Sequence, residues 1–392
     1  MVSAAPAQAN PVRFELLDVC RFVAAFAVVI FHWLYKGIEL DEMNTVTYSP
    51  FAGIAAYGYL GVYFFFMISG FVIAASSQGR TASEFAVRRL IRLYPAFWVA
   101  VTITTITILL IGGTVFTVTI PQYLANLTMM PGILHQPLID NSYWTLFCEL
   151  LFYGMIFLFL LVGLGKRLEV FYPGWAIMML ALTLVTPNIA SMPLLGTFYA
   201  YFAAGAIVST IQRNGWSWWQ AVGLAASAYV SVSYTVAEAG RINDASTGLH
   251  LLSLPLVGAL AVAFFGIMLV QIIPSVAAWK IPKSRILGAL TYPLYLLHAH
   301  IGYMLFNRFA NDENKWVAYI VVFAIILGGA YLLYAFVELR PKRMWSAAFD
   351  GTVGRALRWV ERIVARALPK RRVSARREWW EAQQRQSANP PV

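Results

Sequence analysis

Two side chains that could take part in chemistry, Arg21 and His32, lie inside the first hydrophobic stretch of the chain, eleven residues apart. Eleven steps of about 100° amount to three helical turns and roughly 20°, so both would lie on one helix face, about 16 Å apart along the axis. An ionisable side chain inside a bilayer costs on the order of 2.5 kcal/mol or more and usually has a functional reason. The spacing predicts a polar pathway that enters a membrane from one side and ends at an imidazole.

A cluster of three arginines, Arg88, Arg89 and Arg92, begins the third hydrophobic stretch. Arg88 and Arg92 are four residues apart and share a helix face. Guanidinium groups bind phosphate through planar, two-pronged hydrogen bonding, so the cluster predicts a phosphate site. The alternative is anchoring of the helix end by positive charge at the inner membrane surface. It would explain Arg88 and Arg89, but it explains Arg92 less well, because that residue lies further into the span.

Glu149 is the acidic residue of the fourth hydrophobic stretch, seven residues past Ser142 and so about 10 Å deep. His32 lies a few residues from the outer end of its own stretch, so we expect the two side chains at comparable depth. A carboxylate facing lipid is very unfavourable, so Glu149 must face a polar interior. It would act there as the catalytic partner of His32 or as an acceptor in a helix-to-helix hydrogen bond.

His298 lies about twelve residues into the ninth hydrophobic stretch and also approaches the middle of the membrane. It would belong to a site or serve as an interhelical hydrogen-bonding group. We expect an acceptor pocket shaped by five residues: Ser142, Tyr143, Trp144, Tyr292 and His298. The histidines show no metal-site spacing such as His-Glu-x-x-His, and no cysteine pair is placed for zinc, so no metal is expected.

The elements that must position these residues are hydrophobic spans. The chain is 60% hydrophobic and 12% charged, whereas about a quarter of the residues of a soluble domain are charged. Ten stretches have roughly the length that crosses a bilayer, the fifth being the shortest. They are about 16–35, 57–77, 90–112, 142–163, 172–187, 193–211, 216–236, 249–273, 286–307 and 316–338. The predicted fold is all-α, a polytopic membrane helix bundle with about ten transmembrane helices.

Lysine and arginine are concentrated in the loops after spans two, four, six and eight, and the alternate loops are poor in them. This alternation predicts that both termini face the cytoplasm. The segment Met1–Pro11 is small and polar and lacks the layout of a signal peptide, so the first span would serve as an uncleaved anchor.

The net charge of +11 is mostly a property of the tail, since the residues after Leu339 carry a surplus of +9. Nucleic acid is therefore not an expected partner. Arginines recur at helical spacing across Arg355–Arg366 beside an apolar face. This pattern predicts a basic amphipathic helix on the anionic cytoplasmic leaflet, the alternative being a solvated tail. The chain thus divides into an N-terminal segment 1–13, a membrane domain 14–342 and a basic tail 343–392.

Together these motifs resemble the acyltransferase-3 family of bacterial integral membrane O-acyltransferases, over about residues 14–342. Besides the pair Arg21 and His32 preceded by Leu17-Asp18, the resemblance rests on Gly61-Val-Tyr-Phe-Phe-Phe-Met-Ile-Ser-Gly-Phe71, Arg88-Arg-Leu-Ile-Arg-Leu-Tyr-Pro95, Tyr143-Trp-Thr-Leu-Phe-Cys-Glu149 with Phe152-Tyr153, and Tyr292-Pro-Leu-Tyr-Leu-Leu-His298. Each motif is loose alone, but their order on ten spans is specific.

The resemblance implies transfer of an acyl group, usually acetyl or succinyl, from cytosolic acyl-CoA to a hydroxyl, in the bacterial inner membrane. Acyl-CoA is then a co-substrate, with no permanently bound cofactor. Acceptors in the family are commonly sugars of envelope or exported glycans, lipid-linked intermediates or antibiotics. Position 63 is a tyrosine where the family usually has an acidic residue, and one extra residue separates Glu338 from Pro341. The appended extracytoplasmic hydrolase-like domain of some members is not expected.

The mechanism we expect places the phosphates of coenzyme A on Arg88, Arg89 and Arg92, with Arg21 along the pathway. His32 would act as the general base on the acceptor hydroxyl, and Glu149 would orient or charge the imidazole. An envelope or exported glycan is the preferred acceptor, and a small secreted metabolite such as a macrolide is second. A transporter for a small anion is the alternative from another class, because buried Arg, His and Glu fit transport as well.

Overall fold

The computed structural model describes residues 14–186, 192–196, 198–245 and 251–367. It is 80% helical, and no strand occurs in these ranges, which confirms the predicted all-α fold. The predictions for residues 1–13, and for the basic and tryptophan-containing end of the tail after residue 367, lie outside the described residues.

The α-helices of these ranges are, in chain order, α1 (Glu15–Phe31), α2 (Gly37–Glu39), α3 (Ala52–Ala55), α4 (Leu60–Ser77), α5 (Ala82–Ile111), α6 (Ile120–Asn126), α7 (Trp144–Leu161), α8 (Leu168–Val185), α9 (Phe198–Asn214), α10 (Trp218–Ala245), α11 (Leu254–Val270), α12 (Pro274–Ala277), α13 (Ser284–Leu297), α14 (His300–Phe309), α15 (Lys315–Leu333), α16 (Lys342–Phe349) and α17 (Arg355–Ala367). Turns of π-helix follow α1, α15 and α16, at His32–Lys36, Tyr334–Leu339 and Asp350–Gly354. Turns of 3₁₀-helix lie at Ala56–Tyr59, Pro131–Leu134, Asn141–Tyr143 and Gly165–Arg167.

Six stretches of the described chain are helical, long enough and apolar enough to cross a membrane. They are Glu15–Glu39, Ala52–Ser77, Ala82–Ile111, Asn141–Leu161, Gly165–Val185 and Lys315–Leu339. These six coincide with the first five predicted spans and the tenth, so the chain is a polytopic membrane helix bundle.

The other four predicted spans fall on α9, α10, α11 and the pair α13–α14. They are helical, but α9 and α11 have only 17 residues each, and α13 ends after 14 residues. Helix α9 is buried along nearly its whole length, from Tyr199 to Ile211, because the other helices surround it. A total of ten membrane crossings stays a prediction.

Helices α4 and α9 cross with their backbones in contact. A Cβ atom on Gly70 would overlap the carbonyl oxygen of Phe202, and one on Gly205 would overlap that of Met67. Only glycine permits this approach, which is how small residues hold membrane helices together.

The loop after α2 is fixed to the turn between α14 and α15. Lys315 and the backbone N–H and hydroxyl of Thr47 donate hydrogen bonds of 2.8–2.9 Å to Asp312. The lysine, and after it the threonine, lower the pKa of the Asp312 carboxyl to about 2.

The described part of the tail packs back on α5. Both carboxylate oxygens of Glu361 accept hydrogen bonds from Ser83, at 3.0 Å from its backbone N–H and 2.6 Å from its hydroxyl. Phe349 stacks on Trp98 with ring centroids 6.0 Å apart. The helix predicted in the tail is therefore present and docked, whereas its contact with an anionic leaflet stays a prediction.

Candidate active site

A cavity of about 1070 Å³ lies at the end of the bundle where α1 begins, which we term the inner end. The sequence separates its wall residues widely, but the folded helices α1, α4, α5, α7 and α13 bring them together with the tail. Its basic wall residues are Arg21, Arg80, Arg88, Arg89, Arg92, Arg285 and Lys342, and its acidic ones are Asp18, Glu84, Glu149, Glu338 and Asp350. All four arginines that the sequence singles out thus line one cavity.

Several basic groups of this cavity form no ion pair within the part of the chain that the structure describes. Arg80, Arg88 and Arg285 form no ion pair with a described residue, and the guanidinium carbon of Arg89 lies 5.9 Å from the ring centroids of both Phe85 and Tyr153. Burial lowers the pKa of Arg80, and the nearby charges of Arg88 and Arg89 lower it further. Crowding of like charges around an open volume favours an anionic ligand.

Arg92 is held in place by two contacts. Its Nη1 lies 2.8 Å from Glu338 Oε2, and its guanidinium carbon lies 5.1 Å from the centroid of the Tyr292 ring. The ion pair uses one prong of the guanidinium fork, so the remaining N–H groups can still bind an anion. Arg21 lies within electrostatic reach of Arg92 and of the carboxylate of Glu149.

Glu149 is a wall residue of the cavity with two hydrogen-bond donors of its own. The Ser69 hydroxyl donates to Oε1 at 3.0 Å, and the Tyr153 hydroxyl donates to the same atom at 2.6 Å. Tyr153 lies one turn further along α7, and Ser69 lies on α4 beside Gly70. The close crossing of α4 and α9 therefore fixes one of the donors that hold this carboxylate.

The segment that precedes α7 is inserted deeply into the bundle. Asp140 is completely buried, and its Oδ2 accepts a hydrogen bond of 3.0 Å from the backbone N–H of His300. One turn later, the hydroxyl of Thr145 lies 2.7 Å from the hydroxyl of Tyr295, in the middle of the bundle. The start of α7 thus lies level with the break between α13 and α14.

This insertion corrects the depth predicted for Glu149. Counting from Ser142 as a surface residue places the carboxylate level with His32, but Ser142 is itself buried. Glu149 instead lies among the arginines, within electrostatic reach of Arg21 and Arg92. No hydrogen bond joins Glu149 to His32, whose Nδ1 faces Tyr303, so a catalytic role for this carboxylate towards the imidazole stays a prediction.

His32 lies where α1 changes into a π-helical turn, a feature often found at functional sites. Its Nδ1 is 2.5 Å from the hydroxyl of Tyr303 on α14, and its ring meets the ring of His298 edge-on at 4.9 Å. The imidazole is thus oriented by a tyrosine. It is not a wall residue of the cavity, and Arg21 lies about 16 Å away along the helix.

His298 lies between His32 and Tyr295, a wall residue of the cavity. It lies at the break between α13 and α14, completely buried, with Nδ1 2.7 Å from the carbonyl oxygen of Tyr295. Because a carbonyl only accepts, Nδ1 carries the hydrogen and Nε2 of the neutral ring keeps its lone pair. Nε2 has no partner among the described residues. Tyr295 is a wall residue of the cavity, and its ring lies 5.4 Å from the His298 ring.

The five residues expected to shape an acceptor pocket are not brought together. Ser142 donates to Asp140 at 2.6 Å, and Tyr143 donates to the Leu296 carbonyl at 3.0 Å. Trp144 packs on Phe198. Tyr292 lines the arginine-rich cavity, and among the five only His298 lies beside His32.

Several contacts escape sequence reasoning. Tyr303 reaches His32 only because the chain breaks after α13 and restarts as α14, and no spacing rule shows this. Glu338 could be noticed as a carboxylate near the end of a span, but its partner Arg92 is far away in the sequence. Ser69 could have been read as a hydroxyl beside a close-packing glycine, without its bond to Glu149.

Comparison with known proteins identifies the class. A family model described as an acyltransferase domain matches residues 14–335. The match covers most of the chain, so the chain belongs to the acyltransferase-3 family and is a membrane acyltransferase. The comparisons with curated proteins and with solved structures found no match.

Proposed function

We propose that this protein transfers an acetyl or succinyl group from acyl-CoA, with acetyl-CoA the first candidate, to a hydroxyl of an envelope or exported glycan. The observation that carries the proposal is the arginine-rich cavity, because coenzyme A combines three phosphates with a long neutral arm. Its volume suits a ligand of that size. The excess of basic residues near the inner end supports a cytoplasmic position of the donor, in a bacterial inner membrane.

The phosphates would bind to Arg88, Arg89 and Arg92, whose planar forks suit phosphate oxygens. Arg21 lies deeper on the wall and would meet the start of the pantetheine arm. The arm would extend towards Tyr295, a wall residue whose ring lies 5.4 Å from that of His298. The thioester would then be presented beside the histidines, while the charged part stays among the arginines.

His32 is our candidate for the general base. As the acceptor hydroxyl attacks the thioester carbonyl, its O–H bond breaks and the proton passes to the imidazole. The new C–O bond forms, the C–S bond breaks, and the leaving thiolate takes the proton back from the imidazolium. Tyr303 would hold the ring during both transfers. The lone pair on His298 Nε2 suits a second hydroxyl of a sugar acceptor.

Binding of the donor tests the arginine assignment. Purified protein in nanodiscs is titrated with acetyl-CoA by calorimetry. Arg88→Ala and Arg92→Lys should weaken binding by about 10- to 150-fold, because a hydrogen bond to a charged group contributes about 1.5–3 kcal/mol. Arg308→Ala, at the outer end of α14, is the matched control and should bind as the wild type does. Equal affinity in all four proteins would contradict the donor site.

Transfer is tested by mass spectrometry of envelope and exported glycans from a host without the gene, complemented with wild type or His32→Ala. An acetyl or succinyl mass increment with wild type alone would support the proposal and identify the acyl group. Acylation by the His32→Ala variant would contradict the role of the base. An unchanged glycan profile, with acylation of a small secreted metabolite, would favour the macrolide-type acceptor.

A further inference from the structure

The wall of the arginine-rich cavity extends beyond the part of the chain that the family model matches. That match ends at residue 335, yet Lys342, Trp345 and Ser346 of α16 line the cavity, as does Asp350 just after the helix. Trp345 and Ser346 follow Lys342 by three and four residues, so the three lie on one face of the helix. The tail thus presents a continuous surface to the cavity rather than touching it at a single point.

Three contacts fix α16 in this position. Trp345 Nε1 donates to the Val337 carbonyl at 2.9 Å, and Phe349 is buried against Trp98. Beyond the helix, Glu361 accepts the two hydrogen bonds from Ser83, at the start of α5. A carboxylate there also interacts favourably with the positive end of the α5 dipole. The tail is therefore attached to the same helix that carries three cavity arginines.

Lys342 adds a positive charge that the tail itself does not neutralise. It makes no ion pair with a described residue, whereas the nearest acidic tail residue on the wall, Asp350, pairs with Arg358 at 2.5 Å. The wall of the same cavity also includes Arg88, Arg92 and Arg285. With Lys342 the wall has seven basic and five acidic side chains, and this excess of positive charge favours an anionic ligand.

We propose that the tail helix α16 is part of the acyl-donor site, with Lys342 binding a phosphate of coenzyme A and Glu361 keeping the helix in place. This inference rests on the proposed function, and it extends the site beyond the family domain. The tail then acts in substrate binding as well as in any contact with lipid.

The test measures the affinity of full-length protein in nanodiscs for acetyl-CoA. Lys342→Ala should weaken binding by about five- to twenty-fold, as expected for one partly exposed charge–phosphate contact. Arg343→Ala removes the same charge from the next position of α16, off the cavity wall, and should bind as wild type does. Comparison of the two separates a specific contact from the general charge of the tail. Equal affinities for Lys342→Ala and wild type would overturn the proposal.

A second variant examines the attachment. Glu361→Ala should loosen the tail and weaken acetyl-CoA binding by a similar factor. The double variant, Lys342→Ala with Glu361→Ala, should bind acetyl-CoA no more weakly than the weaker single variant, because both changes remove the same contact between Lys342 and the phosphate. Fully additive losses would contradict a shared cause. If wild-type protein itself does not bind acetyl-CoA, the proposed function fails; if wild type binds and the tail variants bind equally well, only the tail assignment fails.

Discussion

Glu149→Gln separates two roles for this residue, a partner of His32 and a charge on the wall of the donor cavity. Glutamine keeps an oxygen that accepts the hydrogen bonds of Ser69 and Tyr153, so the local geometry should survive. What changes is one negative charge near Arg21 and Arg92. Loss of a carboxylate that orients a catalytic imidazole lowers kcat by about 10⁴-fold in a serine-protease triad. The geometry found here predicts no such loss.

The expected effect of Glu149→Gln is tighter donor binding. A phosphate charge about 10 Å from the carboxylate is repelled by about 1.7 kcal/mol at an effective dielectric constant near 20. Screening at physiological salt reduces this to about 0.5 kcal/mol. Removing the charge should therefore lower the Kd for acetyl-CoA about two- to twenty-fold, and more at low salt than at high salt.

The assay combines calorimetry at two salt concentrations with the initial rate of coenzyme A release. Glu238→Gln is the matched control, because that carboxylate pairs with Arg241 away from the cavity. It should change neither Kd nor kcat. A fall in kcat of a hundred-fold or more for Glu149→Gln, with unchanged Kd, would refute the reasoning and return the carboxylate to the reacting centre.

Three further predictions concern other parts of the fold. Gly205→Ala should lower stability by about 1–3 kcal/mol through overpacking, which would be measured as a lower Tm. Gly240→Ala is the control and should leave Tm unchanged, because Gly240 has open space around it. Equal Tm values for the two variants would contradict the close crossing of α4 and α9. Tyr303→Phe should lower kcat about ten-fold without changing the Kd for acetyl-CoA, because His32 loses one hydrogen bond worth about 1.4 kcal/mol. An unchanged kcat would show that Tyr303 does not contribute to the reaction. The pKa of Asp312 is depressed, so its stabilising effect is complete above the ordinary value of 3.8 and is lost as the pH falls towards about 2. The Tm difference between wild type and Asp312→Asn should therefore shrink over that pH range, and a constant difference would contradict it.

The sequence predicted the helices and the grouping of basic residues for the same physical reason. A long apolar helix appears in the sequence as a run of hydrophobic residues. The charges that must stay out of lipid appear as arginines at the ends of such runs. Arg88 and Arg92 share a face because of a four-residue spacing alone, and Arg21 joins them because its helix starts at the same end of the bundle.

Depth and partners could not be predicted in this way. The position of Glu149 depends on how far the chain around Asp140 enters the bundle, and no periodicity encodes that insertion. The pairing of His32 with Tyr303 depends on the break between α13 and α14. The hydrophobic pattern predicts the direction in which a side chain points from its helix. How far two neighbouring helices are displaced along their axes depends on loops and on buried polar contacts, which the pattern does not show.

The close crossing of α4 and α9 at Gly70 and Gly205 makes the α4 side of the cavity more rigid than the tail side. On the α4 side, backbone touches backbone next to Ser69, so that side can hardly yield without breaking the core. On the tail side, the wall depends on one stacked aromatic pair and a few hydrogen bonds. When a bulky donor enters the cavity, we therefore expect α4 to stay in place and the tail to be displaced. Exchanging the tail between family members should then alter how fast the donor enters and leaves more than how fast the acyl group moves.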